Sequence, residues 1–114
     1  MELKISDRQV DGVTVVDLGG RLVLGEETST LRDKLKSLTN EGRKKILLNL
    51  KGLTYLDSSG LGALVGGFAT VTGQQGLIKL VSLDGKVHDL LRVTRLLTVF
   101  ETFDDEQKAI RSFQ

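Results

Sequence analysis

Apolar and β-branched positions along the chain fall into short runs parted by glycine, and the spacing of those runs alternates between the period of a strand and that of a helix. Residues 3–6 read as a short first strand, and Val13-Thr14-Val15-Val16-Asp17-Leu18 as a second, rich in β-branched side chains. Asp11-Gly12 between them is a hairpin signal. Gly19-Gly20 then breaks or bends the chain, and Arg21-Leu22-Val23-Leu24 extends the sheet briefly. Over residues 26–40, Leu31, Leu35 and Leu38 recur at i, i+4 and i+7 and predict an amphipathic helix. Glu26 and Glu27 fall in its first turn, where the helix dipole favours negative charge, and Gly42 supplies the stop.

Ile46-Leu47-Leu48-Asn49-Leu50 is a nearly continuous apolar run, the pattern of a central strand covered on both faces. A helix is predicted from about Ser59 to Thr72, burying Leu61, Leu64, Val65 and Phe68, with Gly73 and Gly76 bracketing the following turn. Leu77-Ile78-Lys79-Leu80-Val81 reads as a strand, residues 85–94 as a helix with Val87, Leu90 and Leu91 inward, and Thr98-Val99-Phe100 as a last short strand. The tail from Asp104 reads as a fourth helix anchored by Ile110 and Phe113. Helices alternating with apolar strands after an opening hairpin imply an α/β sandwich. The expected sheet is mixed, with an N-terminal antiparallel hairpin, parallel central strands and about four α-helices. No linker or repeat divides residues 1–114, so one domain is expected.

Composition narrows the function. Sixteen Lys and Arg nearly cancel fifteen Asp and Glu, leaving +1, so the basic excess typical of nucleic-acid binders is missing. The densest basic run, Arg43-Lys44-Lys45, stands at the mouth of an apolar strand, where solvated charge is normal. With no cysteine, disulfides, thiolate metal sites and cysteine nucleophiles are excluded. No apolar run approaches the roughly 20 residues that span a bilayer, and Met1-Glu2-Leu3-Lys4 is no signal peptide. A cytoplasmic location, without membrane insertion or direct nucleic-acid contact, is expected.

The stretch with chemical content is Leu53-Thr54-Tyr55-Leu56-Asp57-Ser58-Ser59-Gly60-Leu61-Gly62, which joins the carboxyl end of a central strand to a helix. Functional groups gather at that place in open α/β sheets. Asp57 or Ser58 can accept hydrogen bonds from the free amides of the first helical turn. Gly60 and Gly62 are expected to keep the turn uncluttered, and Ser59 to stand at about the first helical position with its hydroxyl near the surface. From these residues alone, an ordinary N-cap and a modification site both remain open. A phosphate on Ser59 would add close to two negative charges on a helix N-terminus, where amides and dipole favour them, so the domain should not unfold. At a docked surface, an unpaired desolvated charge costs on the order of 3–5 kcal/mol, or roughly two to three powers of ten in affinity.

Other chemistries fit less well. His88 is the lone histidine, Gly-x-Ser-x-Gly is absent, and a surface or helix-face role is expected for it rather than a place in a hydrolase. Zinc lacks ligands. Gly60-Leu61-Gly62 through Gly66-Gly67 matches no nucleotide-binding pattern. Gly62, Ala63, Gly66 and Gly67 more simply let the helix pack closely or offer a low face to a partner. Arg92 and Arg95 read as solvated helix charge.

Leu56-Asp57-Ser58-Ser59-Gly60-Leu61-Gly62 resembles the signature loop of STAS domains, specifically of bacterial anti-sigma factor antagonists. The likeness extends to Val15-Val16-Asp17-Leu18-Gly19-Gly20-Arg21-Leu22, to the leucine-striped helix, to the Ile46–Leu50 and Leu77–Val81 strands, and to Val87–Leu97. The resemblance implies a non-enzymatic switch without a cofactor. The unphosphorylated form would bind an anti-sigma factor that is also a serine kinase, and so free a sigma factor. Phosphorylation by that kinase would end binding, and a metal-dependent serine phosphatase would reset the protein. The implied acceptor is Ser59, ahead of Ser58, with Asp57 shaping the loop and aiding kinase recognition. The partner-binding loop so implied is Asp57, Ser58, Ser59, Gly60, Leu61 and Gly62. Gly66-Gly67 departs from the bulkier residues expected there, which bears on which partner the helix fits. The alternative within the family is a non-phosphorylated structural subunit of a transporter complex or sensory scaffold.

Overall fold

The computed structural model describes residues 3–82 and 85–114. Strand β1 (Leu3–Val10) and strand β2 (Val13–Leu22) form an antiparallel hairpin with Val10 opposite Val13. Asp11 and Gly12 both take positive φ, at 51° and 83°, as a two-residue turn matched to strand twist requires. Helix α1 (Glu26–Asn40) leads to strand β3 (Lys45–Leu56), helix α2 (Ser58–Gly73) and strand β4 (Leu77–Val81). Helix α3 (Gly85–Val93), strand β5 (Thr102–Phe103) and helix α4 (Glu106–Arg111) complete the chain. The sheet runs in sequence order, β1-β2-β3-β4-β5, antiparallel at the hairpin and parallel elsewhere. This is the mixed α/β architecture that the residue pattern implies.

The apolar run in β3 is buried on both sides. Ile46, Leu48 and Leu50 join a core with Leu31, Leu35 and Leu38 of α1, Leu61 and Leu64 of α2, and Val87 and Leu91 of α3. Leu47, one step out of phase, joins Val13, Val15, Val81, Ala109, Ile110 and Phe113 on the opposite face. Three helices therefore cover one side, and the short α4 covers part of the other. Lys79 of β4 is almost fully buried under α4. Its ammonium donates to the Ser112 hydroxyl (2.9 Å) and carbonyl (3.1 Å), lies 3.2 Å from a Glu101 carboxylate oxygen, and sits 4.7 Å from the Phe113 ring centroid.

Four expectations need correction. Thr98-Val99-Phe100 is not a strand: Leu96–Thr98 form a 3-10 turn, Phe100 is a core residue, and the last strand follows at Thr102–Phe103. A left-handed Arg95 (φ 64°) starts that turn and redirects the chain before pairing resumes. Of the break or bend expected at Gly19-Gly20, β2 takes the bend, and its expected extension stops short of Val23-Leu24. The strand runs through to Leu22, and the glycines lie at register shifts against Gly52 and Leu53 of β3. Val65 is partly exposed, and Ala63, Gly67 and Val71 take the inward positions of α2 instead. β1 continues to Val10, four residues past its expected end. The side chains of Glu26 and Glu27 lie outside the described residues.

The α2 inward face explains two of its glycines. A Cβ at Gly60 would stand 2.1 Å from the Leu22 carbonyl oxygen, and one at Gly67 would stand 2.4 Å from Leu35 Cδ1. Gly62 and Gly66, by contrast, have no atom within 4 Å of a Cβ. Gly60→Ala should cost about 1–3 kcal/mol because the obstructing atom is backbone. Gly66→Ala should gain up to about 1 kcal/mol from helix propensity. Thermal melts of the two variants should move in opposite directions, and a destabilised Gly66→Ala would show that its outer face is occupied within the fold.

A second test concerns the edge of the sheet. Arg8 of β1 holds Asp17 of β2 (2.8 and 3.1 Å) and Glu106 of α4 (2.6 and 2.9 Å), and Asn49 donates to Asp17 at 2.9 Å. The Arg8 bond, chiefly, holds the Asp17 carboxyl below its ordinary range. A depressed carboxylate contributes stability above its unfolded value, near 3.9, and loses it as pH falls through the lower folded value. The stability gap between the natural chain and Arg8→Met should therefore be widest at neutral pH and narrow below about pH 4. Urea midpoints at a neutral and an acidic pH measure it, and a gap constant with pH would assign Arg8 a packing role only.

Candidate functional site

The end of β2, the end of β3 and the start of α2 meet at Asp57. Its backbone is extended (φ −99°, ψ −176°), as an N-cap residue requires. One carboxylate oxygen accepts from the Gly60 amide at 2.7 Å, and the other accepts from the Leu24 amide at 3.0 Å. The Asp57 amide donates to the Leu22 carbonyl at 3.3 Å, and the Asp57 carbonyl accepts from Leu61 at 2.9 Å. The Gly60 amide first, and the Leu24 amide second, hold the Asp57 carboxyl below the usual carboxylate range, so it is charged at neutral pH. Asp57 is thus the cap, and Ser58 is the first helical residue rather than a competing cap.

Ser58 is exposed and Ser59, the second residue of α2, is half-buried. Among the described residues, no hydrogen-bond partner engages either hydroxyl. The capping work at this junction is done by Asp57, which leaves both serines outside it. Gly60 does not keep the outer surface clear as expected; it is buried and makes room for the Leu22 carbonyl. Gly62 does leave open space, as does Gly66 one helical turn on. Leu61 turns into the core.

Around the junction, several apolar groups face solvent: Leu24 is 75% exposed, Tyr55 51% and Val65 37%. The Arg21 guanidinium lies over the Tyr55 ring, 5.1 Å from its centroid. Sequence reading missed the Leu24 amide and the Arg21–Tyr55 stack, because both depend on the parallel register that sets Arg21 opposite Tyr55 and Leu22 opposite Leu56. His88 is exposed on α3, beside a shallow depression formed with Thr102, Phe103 and Asp104. Among the described residues, no helix is long and apolar enough to cross a membrane.

Comparison with known proteins gives these features a context. The chain is 26% identical over 114 residues to the anti-sigma F factor antagonist of Paenibacillus polymyxa, covering all of this chain and 97% of that protein. It is 30% identical over 101 residues to the anti-sigma-B factor antagonist of Bacillus subtilis (strain 168), covering 89% of this chain and 91% of the other. A crystal structure of a putative anti-sigma factor antagonist from Thermotoga maritima superposes with a TM-score of 0.81 at 25% identity, over 95% of this chain and 92% of that one. A family model for the STAS domain matches residues 4–109, which takes in both faces of the sheet and the Asp57 junction. On that match, and on the fold and loop described above, the chain belongs to the STAS domain family.

Proposed function

We propose that this chain is an anti-sigma factor antagonist, a binding protein and not an enzyme, working as a single cytoplasmic domain. In this reading the unphosphorylated form docks an anti-sigma factor through the loop Asp57–Gly62, and the sigma factor is released. The anti-sigma factor is also a serine kinase, phosphorylates Ser59, and thereby ends its own binding. A metal-dependent serine phosphatase restores the hydroxyl. The observation that carries the proposal is a pair of serines at the start of α2 with hydroxyls unengaged, beside a cap already supplied by Asp57. The names of the relatives support the choice of partner.

The physics favours a switch at the surface over one in the fold. A phosphate on Ser59 would lie over the first turn of α2, where the positive end of the helix dipole favours its charge. The carboxylate two residues earlier in the chain, Asp57, already has its charge met by two amides. The monomer therefore keeps its structure while a partner must desolvate about two added charges.

With the anti-sigma kinase of the same organism and ATP, mass spectrometry should find one phosphate on Ser59, and Ser59→Ala should take up none. Stoichiometric label on Ser59→Ala would move the acceptor to Ser58, and no label on either serine would favour a constitutive structural subunit. Ser59→Asp should bind that kinase about 100-fold more weakly, or worse, with an unchanged melting temperature. Titration calorimetry and a thermal melt on one preparation read both, and early melting would place the effect in the fold instead.

A further inference from the structure

Directly before Asp57, residues Thr54, Tyr55 and Leu56 face Lys86, Val87 and Leu90 of α3 across a small cavity of about 100 Å³. Leu56, Val87 and Leu90 make its inner wall and pack against the main core. Half-exposed Tyr55 and exposed Lys86 stand at its mouth. The Thr54 hydroxyl is already committed to the Gly20 carbonyl at 3.0 Å, so it offers little to a polar occupant. The cavity is therefore apolar inside, with room for one branched aliphatic side chain.

One lining residue is cationic, and a second cation stacks on another lining residue. Arg21 lies over Tyr55, and Lys86 stands at the opposite wall. Among the described residues, neither has an ion-pair partner and no carboxylate lines the cavity. Three cations that pack onto the fold elsewhere are matched, Arg8 by Asp17 and Glu106, Lys34 by Asp7 and Lys79 by Glu101, whereas half-buried Lys45, like Arg21 and Lys86, has no ion pair among the described residues. Two unmatched cations beside an apolar recess are complementary to a leucine or isoleucine side chain carried between acidic residues.

We propose that this groove is an anchor point for a partner segment of that kind: one aliphatic side chain seated between β3 and α3, flanked by carboxylates that meet Arg21 and Lys86. The inference rests on the reading that a partner docks beside Ser59, and it names the chemistry of that partner's contact. It also links recognition to the switch. The groove opens at Tyr55 and Leu56, next to the α2 start, so a phosphate on Ser59 would face a partner chosen for its negative charge.

The test needs no identified partner. ¹⁵N-labelled protein is titrated with blocked pentapeptides Asp-Glu-Leu-Glu-Asp, Asn-Gln-Leu-Gln-Asn and Asp-Glu-Ala-Glu-Asp, up to about 5 mM, the affinity range of so small a contact. The first should shift the amides of Tyr55, Leu56, Val87 and Leu90, and the other two should bind about threefold or more weakly. Lys86→Glu, an exposed change that spares the core, should remove the preference for the acidic peptide. Ser59→Ala should leave peptide binding intact. Absent shifts at these amides, shifts placed elsewhere, or equal binding of the acidic and neutral peptides would overturn the anchor. Shifts at the same amides on raising protein concentration alone would assign the groove to a second copy and overturn it too. Failure of Ser59 labelling with intact peptide binding would remove the phosphorylation reading and leave the groove standing.

Discussion

Asp57 holds three segments of chain at one point. Its amide reaches back to the Leu22 carbonyl at the end of β2, one carboxylate oxygen takes the Leu24 amide in the loop that follows, and the other takes the Gly60 amide in the first turn of α2. The Leu22 carbonyl in turn occupies the space where any side chain at position 60 would begin. Five groups thus constrain one another: a carboxylate, a carbonyl, and three amides whose bonds water would otherwise have to supply. The start of α2 cannot shift outward without abandoning the carboxylate, nor inward without meeting the Leu22 oxygen. The two serines are presented from that fixed point, and the position of any group attached to them follows from it.

Much of the architecture could be read from the chain because its local signals agree. Asp11-Gly12 has the left-handed turn residues a two-residue hairpin needs, and the strands on either side pair as that turn dictates. The Ile46–Leu50 run is buried on alternating sides, which is why it shows no alternation. Signals failed where a residue's role is set by a neighbour distant in sequence. Thr98-Val99-Phe100 has strand propensity, but Phe100 is claimed by the core and by an edge contact with Phe68, whose ring centroid is 5.4 Å away. Val65 fits a helical stripe by spacing, yet the packing of α2 on α1 turns Gly67 inward against Leu35 and rotates Val65 toward solvent. Lys79 looks like the one polar residue of a strand, and nothing local announces that Ser112, Glu101 and Phe113 will enclose it.

The candidate site divides in the same way. The Asp-Ser-Ser-Gly segment was legible, since a cap residue before an apolar helix is a local pattern. The division of labour inside it was not. Either Asp57 or Ser58 could cap, and only the backbone at Asp57 and its bonds to Gly60 and Leu24 decide it. Likewise, glycines at 60, 62, 66 and 67 look alike in sequence. In the fold, two of them accommodate interior atoms and two face open space. The Tyr55–Lys86 groove joins residues 31 positions apart and depends on where α3 comes to rest beside β3.

Under the proposed function, the bare outer face of α2 bears on how the switch can be reversible. Glycine at 62 and 66 weakens an exposed helix relative to alanine, and no interior atom requires it at either position. A helix that forgoes this stabilisation leaves its backbone open to close approach from outside, just beyond the serines. Close approach makes the interaction sensitive: with backbones in contact there is no side chain to move aside, so a phosphate at the helix start must be desolvated or the surfaces must part. In the free protein the same phosphate would rest in water, at the positive end of the helix dipole. Under the proposed function the difference between those two environments is the signal. It requires no second conformation of the protein, only a junction rigid enough that the added charge cannot turn away, and the bonds of Asp57 supply that rigidity.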